Sequence, residues 1–396
     1  MRILISSNGQ FTNTGYGTQA RQLIPRLQAL GHDVAMHAWY GLEGSGILNF
    51  DGVPTYPKYR HGYGVDIVGA HARHFKADIA ITLIDAWVLD AVMTGGVPFV
   101  PWFPIDMEPI PPPVLNVVKD AYQPIVYSRF GERMARNAGL DVRYVPHGID
   151  TDVFSPGNQA EARASLGLPA DAFIVGMVAA NKGTPSRKSY PQQLEAFARF
   201  AARHDDARLY LHTNKGVDDG MGGVNLPELC EFLGIARRVI WPDDYARILG
   251  FPDARMAELY RAFDVLLSVS MGEGFGIPIV EAQACGCPVI VGDWTSMSEL
   301  CFGGWKVNRA DAYPFWTPLA AYQFVPRAEA IAEQMLNAYD GAGNFTLQKK
   351  ARKGAVEYDT QKVVREGWLP LLARYEAALV EEYGSAEFTR EMVGAA

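Results

Sequence analysis

Two carboxylates, Glu273 and Glu281, stand eight positions apart in the run Met271–Gly286 (MGEGFGIPIVEAQACG). A carboxylate accepts hydrogen bonds from two hydroxyl groups, so a pair flanking one ligand could hold a polyhydroxylated molecule. Between them lies Gly274-Phe275-Gly276-Ile277. Glycines 274 and 276 let the backbone approach a ligand closely, and the free N–H groups where a helix begins attract an anion, with phosphate the obvious candidate. A second loop, Asn181–Tyr190 (NKGTPSRKSY), offers Lys182, Arg187 and Lys188 to the same kind of anion. Each feature also has a plain structural reading. Glu281 favours a helix N-terminus, and Glu273 and the loop cations read equally as solvated side chains.

The elements that must position these residues follow from pattern. Asp264–Ser268 is short and apolar, a buried strand running into the glycine-rich turn, and Pro278–Ala284 continues as a helix with proline in its first turn. Phe173–Ala180 is a strand placed just before the basic loop, followed by a helix Pro191–His204 and a strand Arg208–Thr213, with a helix Ala254–Ala262 further on and a strand Pro288–Val291 after the second carboxylate. The first 150 residues alternate in the same way: strand Arg2–Ser6, polar loop Ser7–Thr18, helix Gln19–Leu30 closed by Gly31, and strand Asp33–Ala38. Strands at Ile79–Leu83, Pro98–Phe103, Ile125–Ser128 and Val142–Pro146 and a helix Arg129–Asn137 continue it, and Ile110–Pro113 is too proline-rich for regular helix or central strand. Two successive βα runs predict an α/β protein of two Rossmann-like, doubly wound parallel-sheet domains. Glycine and proline breakers around His147–Pro156 put the boundary near residue 156, with 157–367 forming the second domain. Glu329–Tyr339 and Trp368–Tyr383 read as amphipathic helices, while Ser385–Ala396 carries no readable signal.

Glu273-Gly-Phe-Gly-Ile-Pro-Ile-Val-Glu281, followed by Ala282, Gly286 and Pro288-Val-Ile, resembles the Glu-x7-Glu signature of retaining, nucleotide-sugar-dependent glycosyltransferases of the GT-B fold, family four. The resemblance is dense over 264–300 and loose over 1–150. It implies two domains facing across a cleft, a nucleoside-diphosphate sugar (UDP- or GDP-linked) on the second domain, and a final helix, about 368–384, packing back on the first. It assigns Glu273 to the sugar, Glu281 to the ribose, and Gly274, Phe275, Gly276, Ile277 and Lys188 to the donor diphosphate. The family's diphosphate arginine has no direct counterpart, since Ala180 or Asn181 takes its place, and Arg187 or Lys182 is its expected substitute. The family's first loop closes over the donor, which makes Gly15, Tyr16 and Gly17 donor contacts, unless they form an ordinary surface loop. Asp106 matches the aspartate of a His-Asp pair whose histidine is replaced by Ile105, and His147 faces the cleft or serves as a hydrogen-bonded structural residue.

Composition limits the alternatives. A chain of 396 residues with 48% hydrophobic and 20% charged residues is globular and long enough for two cores. A net charge of −8 without a dense basic run argues against nucleic acid. The first glycines do not form a dinucleotide fingerprint, which counts against a dehydrogenase. Asp205-Asp206, Asp218-Asp219 and Asp243-Asp244 lack the Asp-x-Asp spacing of a metal site, so neither metal nor cofactor is expected. Four cysteines, Cys230, Cys285, Cys287 and Cys301, read as reduced thiols, and a chain that opens directly on a strand reads as cytoplasmic with at most peripheral membrane contact. The predicted function is hexosyl transfer to a hydroxyl acceptor that is a glycan, lipid, small molecule or protein, with Glu273, Asp106 and Lys188 as the catalytic set. A non-catalytic sugar-nucleotide binder and a phosphorylase of the same architecture stay open, the first because of the altered arginine and histidine positions.

Overall fold

Strands buried on both faces carry near-continuous apolar runs, and such strands belong to parallel sheets covered by helices. Ile3–Ile5, Ile79–Leu83 and Val289–Val291 are of this kind and all are buried. The computed structural model describes residues 1–91, 93–217 and 220–383, and it divides into two compact units. The first comprises, of the described residues, Met1–Ile105, Ile110–Gly148 and those from Thr360 on, and the second Asp106–Pro109 and Ile149–Asp359.

The first unit is built on eight strands: β1 (Arg2–Asn8), β2 (Asp33–Glu43), β3 (Leu48–Phe50), β4 (Val53–Lys58), β5 (Ile79–Leu83), β6 (Phe99–Phe103), β7 (Ile125–Val126) and β8 (Arg143–Tyr144). Their order across the sheet is β3-β4-β2-β1-β5-β6-β7-β8, parallel except for the β3–β4 hairpin. The first helix starts earlier than the pattern suggested. Thr14 caps it by accepting from Gly17 N at 3.0 Å, so Gly15, Tyr16 and Gly17 form the first turn of Gly15–Ala29 and not a loop. Gly17 is required there, because a Cβ would lie 2.3 Å from Thr12 Oγ1. A second correction concerns Ile110–Pro113: Pro112 and Pro113 open a helix, Pro112–Val118, where the missing N–H groups cost nothing. The returning segment packs on this unit through Trp368, edge-on to Trp102 at 5.0 Å, and Tyr375 against Tyr122 at 5.4 Å.

The second unit is a six-stranded parallel sheet of β9 (Phe173–Val178), β10 (Ala207–His212), β11 (Val239–Ile240), β12 (Val265–Ser268), β13 (Val289–Gly292) and β14 (Gly304–Val307), in the order β11-β10-β9-β12-β13-β14. An antiparallel hairpin follows, β15 (Ala312–Trp316) and β16 (Tyr322–Pro326). Strand and helix positions inferred from periodicity fall within a few residues of these. The strands β11 and β14, the hairpins and the helices Val68–Phe75, Gln159–Leu166, Leu226–Phe232, Asp244–Leu249 and Phe345–Ala355 are among the elements without a counterpart in the sequence pattern. All four cysteines are free, three of them buried. Among the described residues no helix is long and apolar enough to cross a membrane.

One ion pair ties the entry of this sheet together. Arg163 Nη2 lies 2.6 Å from Asp264 Oδ2, and the same guanidinium donates to the carbonyls of Ala262 and Ala170 at 3.0 and 2.8 Å. Both side chains are mostly buried. Arg163→Ala strands a buried carboxylate, and is expected to destabilise the unit by about 3–5 kcal/mol. Urea denaturation followed by circular dichroism measures it, and a loss below about 1 kcal/mol would place the pair with ordinary surface bridges.

Candidate functional site

Open parallel sheets bind ligands where the strand order reverses, at the C-terminal ends of the two strands on either side. In the second unit those strands are β9 and β12, adjacent in the sheet but separated in sequence by β10 and β11. The loops leaving them, residues 179–189 and 269–276, hold the basic cluster and the first carboxylate of the sequence reading.

Glu273 is buried. Its Oε1 accepts a hydrogen bond from Lys188 Nζ and another from Ser270 Oγ at 2.5 Å, while Oε2 lies 3.3 Å from Arg187 Nη1. Burial by itself pushes a carboxyl upward. Here the Lys188 ammonium and Arg187 guanidinium, with the Lys188 and Ser270 hydrogen bonds, outweigh it and bring the group down from 4.5 to about 2. Burial moves the Lys188 ammonium down as well, with Glu273 opposing that shift. Arg187 Nη1 donates to Gly272 O at 2.5 Å and stands 3.7 Å from Asp106 Oδ2, which also accepts from Gln323 Nε2 at 3.2 Å. Asp106, Arg187, Lys188 and Glu273 thus form one cluster. Asp106–Pro109 belongs to this unit, held to β16 by the exchange of backbone hydrogen bonds between Glu108 and Tyr322 at 3.0 and 2.8 Å.

The neighbouring backbone is fixed from below. Ser296 Oγ donates to the carbonyls of Glu273 and Phe275 at 2.8 and 2.6 Å, and Thr295 Oγ1 accepts from Glu273 N at 3.1 Å. Gly276 sits at φ +108°, where a side chain is strained, and caps helix Ile277–Ala284. Glu281, also buried, projects from this helix and its Oε2 accepts from Tyr260 Oη at 2.8 Å. The basic loop is held by Asn181, whose Nδ2 donates to Val224 O at 2.7 Å and whose Oδ1 accepts from Val224 N at 2.9 Å. Asn181 is therefore committed to structure, and of its two expected stand-ins Arg187 faces the cluster while Lys182 is exposed. The hydroxyls of Ser186 and Ser189 on the same loop are buried without a hydrogen-bond partner among the described residues.

Gly15, Tyr16, Gly17 and His147 belong to the first unit. Tyr16 Oη stands 3.3 Å from both Asp85 Oδ2 and Tyr127 Oη, at the β1–β5 reversal of that sheet. His147 is buried against Tyr127 and Trp102, at 4.0 and 4.7 Å between ring centres, and burial takes it from 6.5 down to about 3, so it is neutral at pH 7. The acidic pairs serve structure. Asp205 pairs with Arg238 and Asp206 accepts from Tyr339, Asp243 caps a helix by accepting from Ala246 N, and Asp244 pairs with Lys215. Asp218-Asp219 lies outside the described residues. Sequence reasoning missed Ser270, Thr295, Ser296, Gln323 and Tyr260. Ser270, three residues before Glu273, was the one with a local signal.

Residues 172–338 match the family described as Glycosyl transferases group 1. A D-inositol 3-phosphate glycosyltransferase of Mycobacteroides abscessus is 36% identical over 156 residues, which are 39% of this chain and 31% of the relative. The chain spans 30% to 49% of the length of the curated relatives it matches. Two solved structures align along nearly the whole chain. Sucrose-phosphate synthase of Thermosynechococcus elongatus has a TM-score of 0.74 at 19% identity, covering 95% of this chain and 99% of its own. The Anabaena protein HepE, solved in complex with UDP-glucose, has a TM-score of 0.67 at 18% identity, covering 94% and 100%. At these identities the likeness is one of fold, and the fold is GT-B. Within the Glycosyl transferases group 1 segment fall Arg187, Lys188, Glu273 and Glu281, while Asp106 lies outside it.

A carboxyl held below its ordinary value stabilises the folded state above that ordinary value and loses the contribution as pH falls through the folded one. For Glu273 the window runs from 4.5 down to about 2. The gap in melting temperature between wild type and Glu273→Gln should therefore be full at neutral pH and shrink steadily on acidification below 4.5. A gap unchanged across that range would contradict the ion-pair assignment.

Proposed function

We propose that this chain transfers a hexose from a nucleoside-diphosphate sugar to a hydroxyl acceptor with retention of anomeric configuration, in the manner of family four, in the cytoplasm and without metal or cofactor. The observation that carries the reading is the buried Glu273 carboxylate clamped by Lys188 and Arg187 at the β9–β12 reversal, inside the segment matching Glycosyl transferases group 1. Lys188, Arg187 and the helix start at Gly276–Pro278 supply the positive field for a departing diphosphate. Glu273, ionised at neutral pH, is no proton donor; it accepts from sugar hydroxyls and stabilises positive charge on the ring. Glu281, oriented by Tyr260, takes the ribose hydroxyls. The HepE complex supports a uridine donor over a guanosine one, and the curated relatives make a small phosphorylated polyol the first acceptor to try.

Double displacement would need a carboxylate on the far side of the sugar. Asp106, the candidate from the sequence, is paired with Arg187 and Gln323. Front-face transfer needs none. The bond from anomeric carbon to phosphate oxygen breaks, the acceptor oxygen bonds to the same face, and the acceptor proton passes to the leaving phosphate.

A panel of nucleotide sugars with inositol phosphate as acceptor tests the activity: nucleoside diphosphate should be released from one donor and turnover should persist in chelator. Nucleotide binding with neither transfer nor hydrolysis would favour a non-catalytic binder. Lys188→Ala should weaken UDP binding by about 1.5–3 kcal/mol in calorimetry, the worth of a charge-assisted contact; unchanged affinity would remove Lys188 from the site.

Proton NMR of the first product from an α-linked donor should show an α-linkage. A β-linked product would sink the front-face mechanism.

A further inference from the structure

A cavity of about 390 Å³ opens at the other edge of the second sheet. Phe263, which leads into β12, and Cys287 and Pro288, which lead into β13, line it, so it lies at the N-terminal ends of the parallel strands, away from the loops of Lys188 and Glu273. Four cations, Arg261, Lys349, Arg352 and Lys353, line the cavity and no carboxylate does, in a chain of net charge −8.

Neutral groups hold the two guanidiniums in place. Arg261 donates to the carbonyls of Ser155 and Val153 at 2.6 and 3.1 Å and to Ser155 Oγ at 3.3 Å; Arg352 donates to those of Phe154, Ala284 and Thr151 at 2.6, 3.0 and 3.0 Å. Carbonyls orient a guanidinium without cancelling its charge. Nη1 of Arg261 takes no acceptor among the described residues. Lys349 and Lys353 are four positions apart on helix Phe345–Ala355, both exposed, with no ion pair among the described residues; Lys349 Nζ lies 4.3 Å from the Phe345 ring centre. Asp152 and Asp359 act on Arg352 only from outside the lining. The facing thiol of Cys285 is pushed up to about 12 by burial and adds no negative charge.

The geometry points to a second binding site here, for a small phosphorylated molecule, independent of the reading of the first site. The volume falls in the range of small-ligand pockets, and ammonium and guanidinium groups around one opening are phosphate's usual partners. Tyr260 lines this cavity and its hydroxyl donates to Glu281, and Arg352 holds the last carbonyl of helix Ile277–Ala284. A ligand that draws on Arg352 or displaces Tyr260 therefore acts on the helix that carries Glu281.

Calorimetric titration of the full chain with inorganic phosphate tests this in three proteins. A phosphate-binding event of wild type should persist with the same affinity in Lys188→Ala, whatever that variant loses at the first site, and in Lys349→Ala/Lys353→Ala the same event should be at least about tenfold weaker, as expected for two lost charge-assisted contacts. Both lysines are exposed and form no ion pair among the described residues, and an unchanged melting temperature of the double variant checks that losing the Lys349 contact with the Phe345 ring leaves folding intact; Lys353→Gln alone, with a smaller loss of affinity, is the second variant. No phosphate binding by wild type, or binding lost in Lys188→Ala and kept in the double variant, overturns the proposal.

Discussion

A carboxylate removed from water must be neutralised by partners or take up a proton. Glu273 is buried and remains an anion because two adjacent cations of one loop, Arg187 and Lys188, reach it from the next strand. Much of the second unit secures that encounter. Gln193 accepts from Val269 N at 3.0 Å and donates to Lys188 O at 2.6 Å, so one side chain links the basic loop to the segment after β12. Met271 N donates to Arg187 O at 2.8 Å, and Trp294 Nε1 to Ser270 O at 3.0 Å. The pair is held by backbone and buried side chains, and this gives the preorganisation that stabilising charge in a reacting ligand requires.

Each unit places its polar groups by the same rule. In a parallel sheet every strand ends at the same edge, and the point where the strand order reverses leaves a gap between two diverging loops. β9 and β12 flank that point in the second unit and β1 and β5 in the first, where Tyr16 meets Asp85. The opposite edge of the second sheet gathers four cations around a cavity, so the helix Ile277–Ala284 has a charged environment at both ends, one built around an anion and the other around cations. Tyr260 and Arg352 are the side chains through which the second environment touches that helix.

The chain's periodicity determined a good deal by itself. Buried strands of a parallel sheet must be apolar on both faces, so Ile79–Leu83 was readable to the residue; the helix Arg129–Asn137 was as well, and the apolar run to Ser268, the glycines around Glu273 and the run from Pro278 marked a strand, a tight turn and a helix. Local chemistry misled where two signals compete. The glycines at 15 and 17 suggested a loop, yet Thr14 supplies a cap and the close packing of Gly17 on Thr12 favours a helix; the prolines at 112 and 113 suggested a break, yet the first turn of a helix has no use for their N–H groups.

What only the tertiary structure decided is which residues meet. Lys188 and Glu273 are 85 positions apart, and whether two loops converge depends on strand order, which leaves no trace in local periodicity. Gln323 and Asp106 are 217 apart and meet because the four residues 106–109 pack against β16. The same holds for Tyr260 beneath Glu281 and for the cations around the far cavity, since Arg261 and Arg352 come from helices remote in sequence. Side-chain type and spacing specify the strands, turns and helices; the order in which strands enter the sheet specifies the charges that face one another, and that order is a property of the packed chain as a whole.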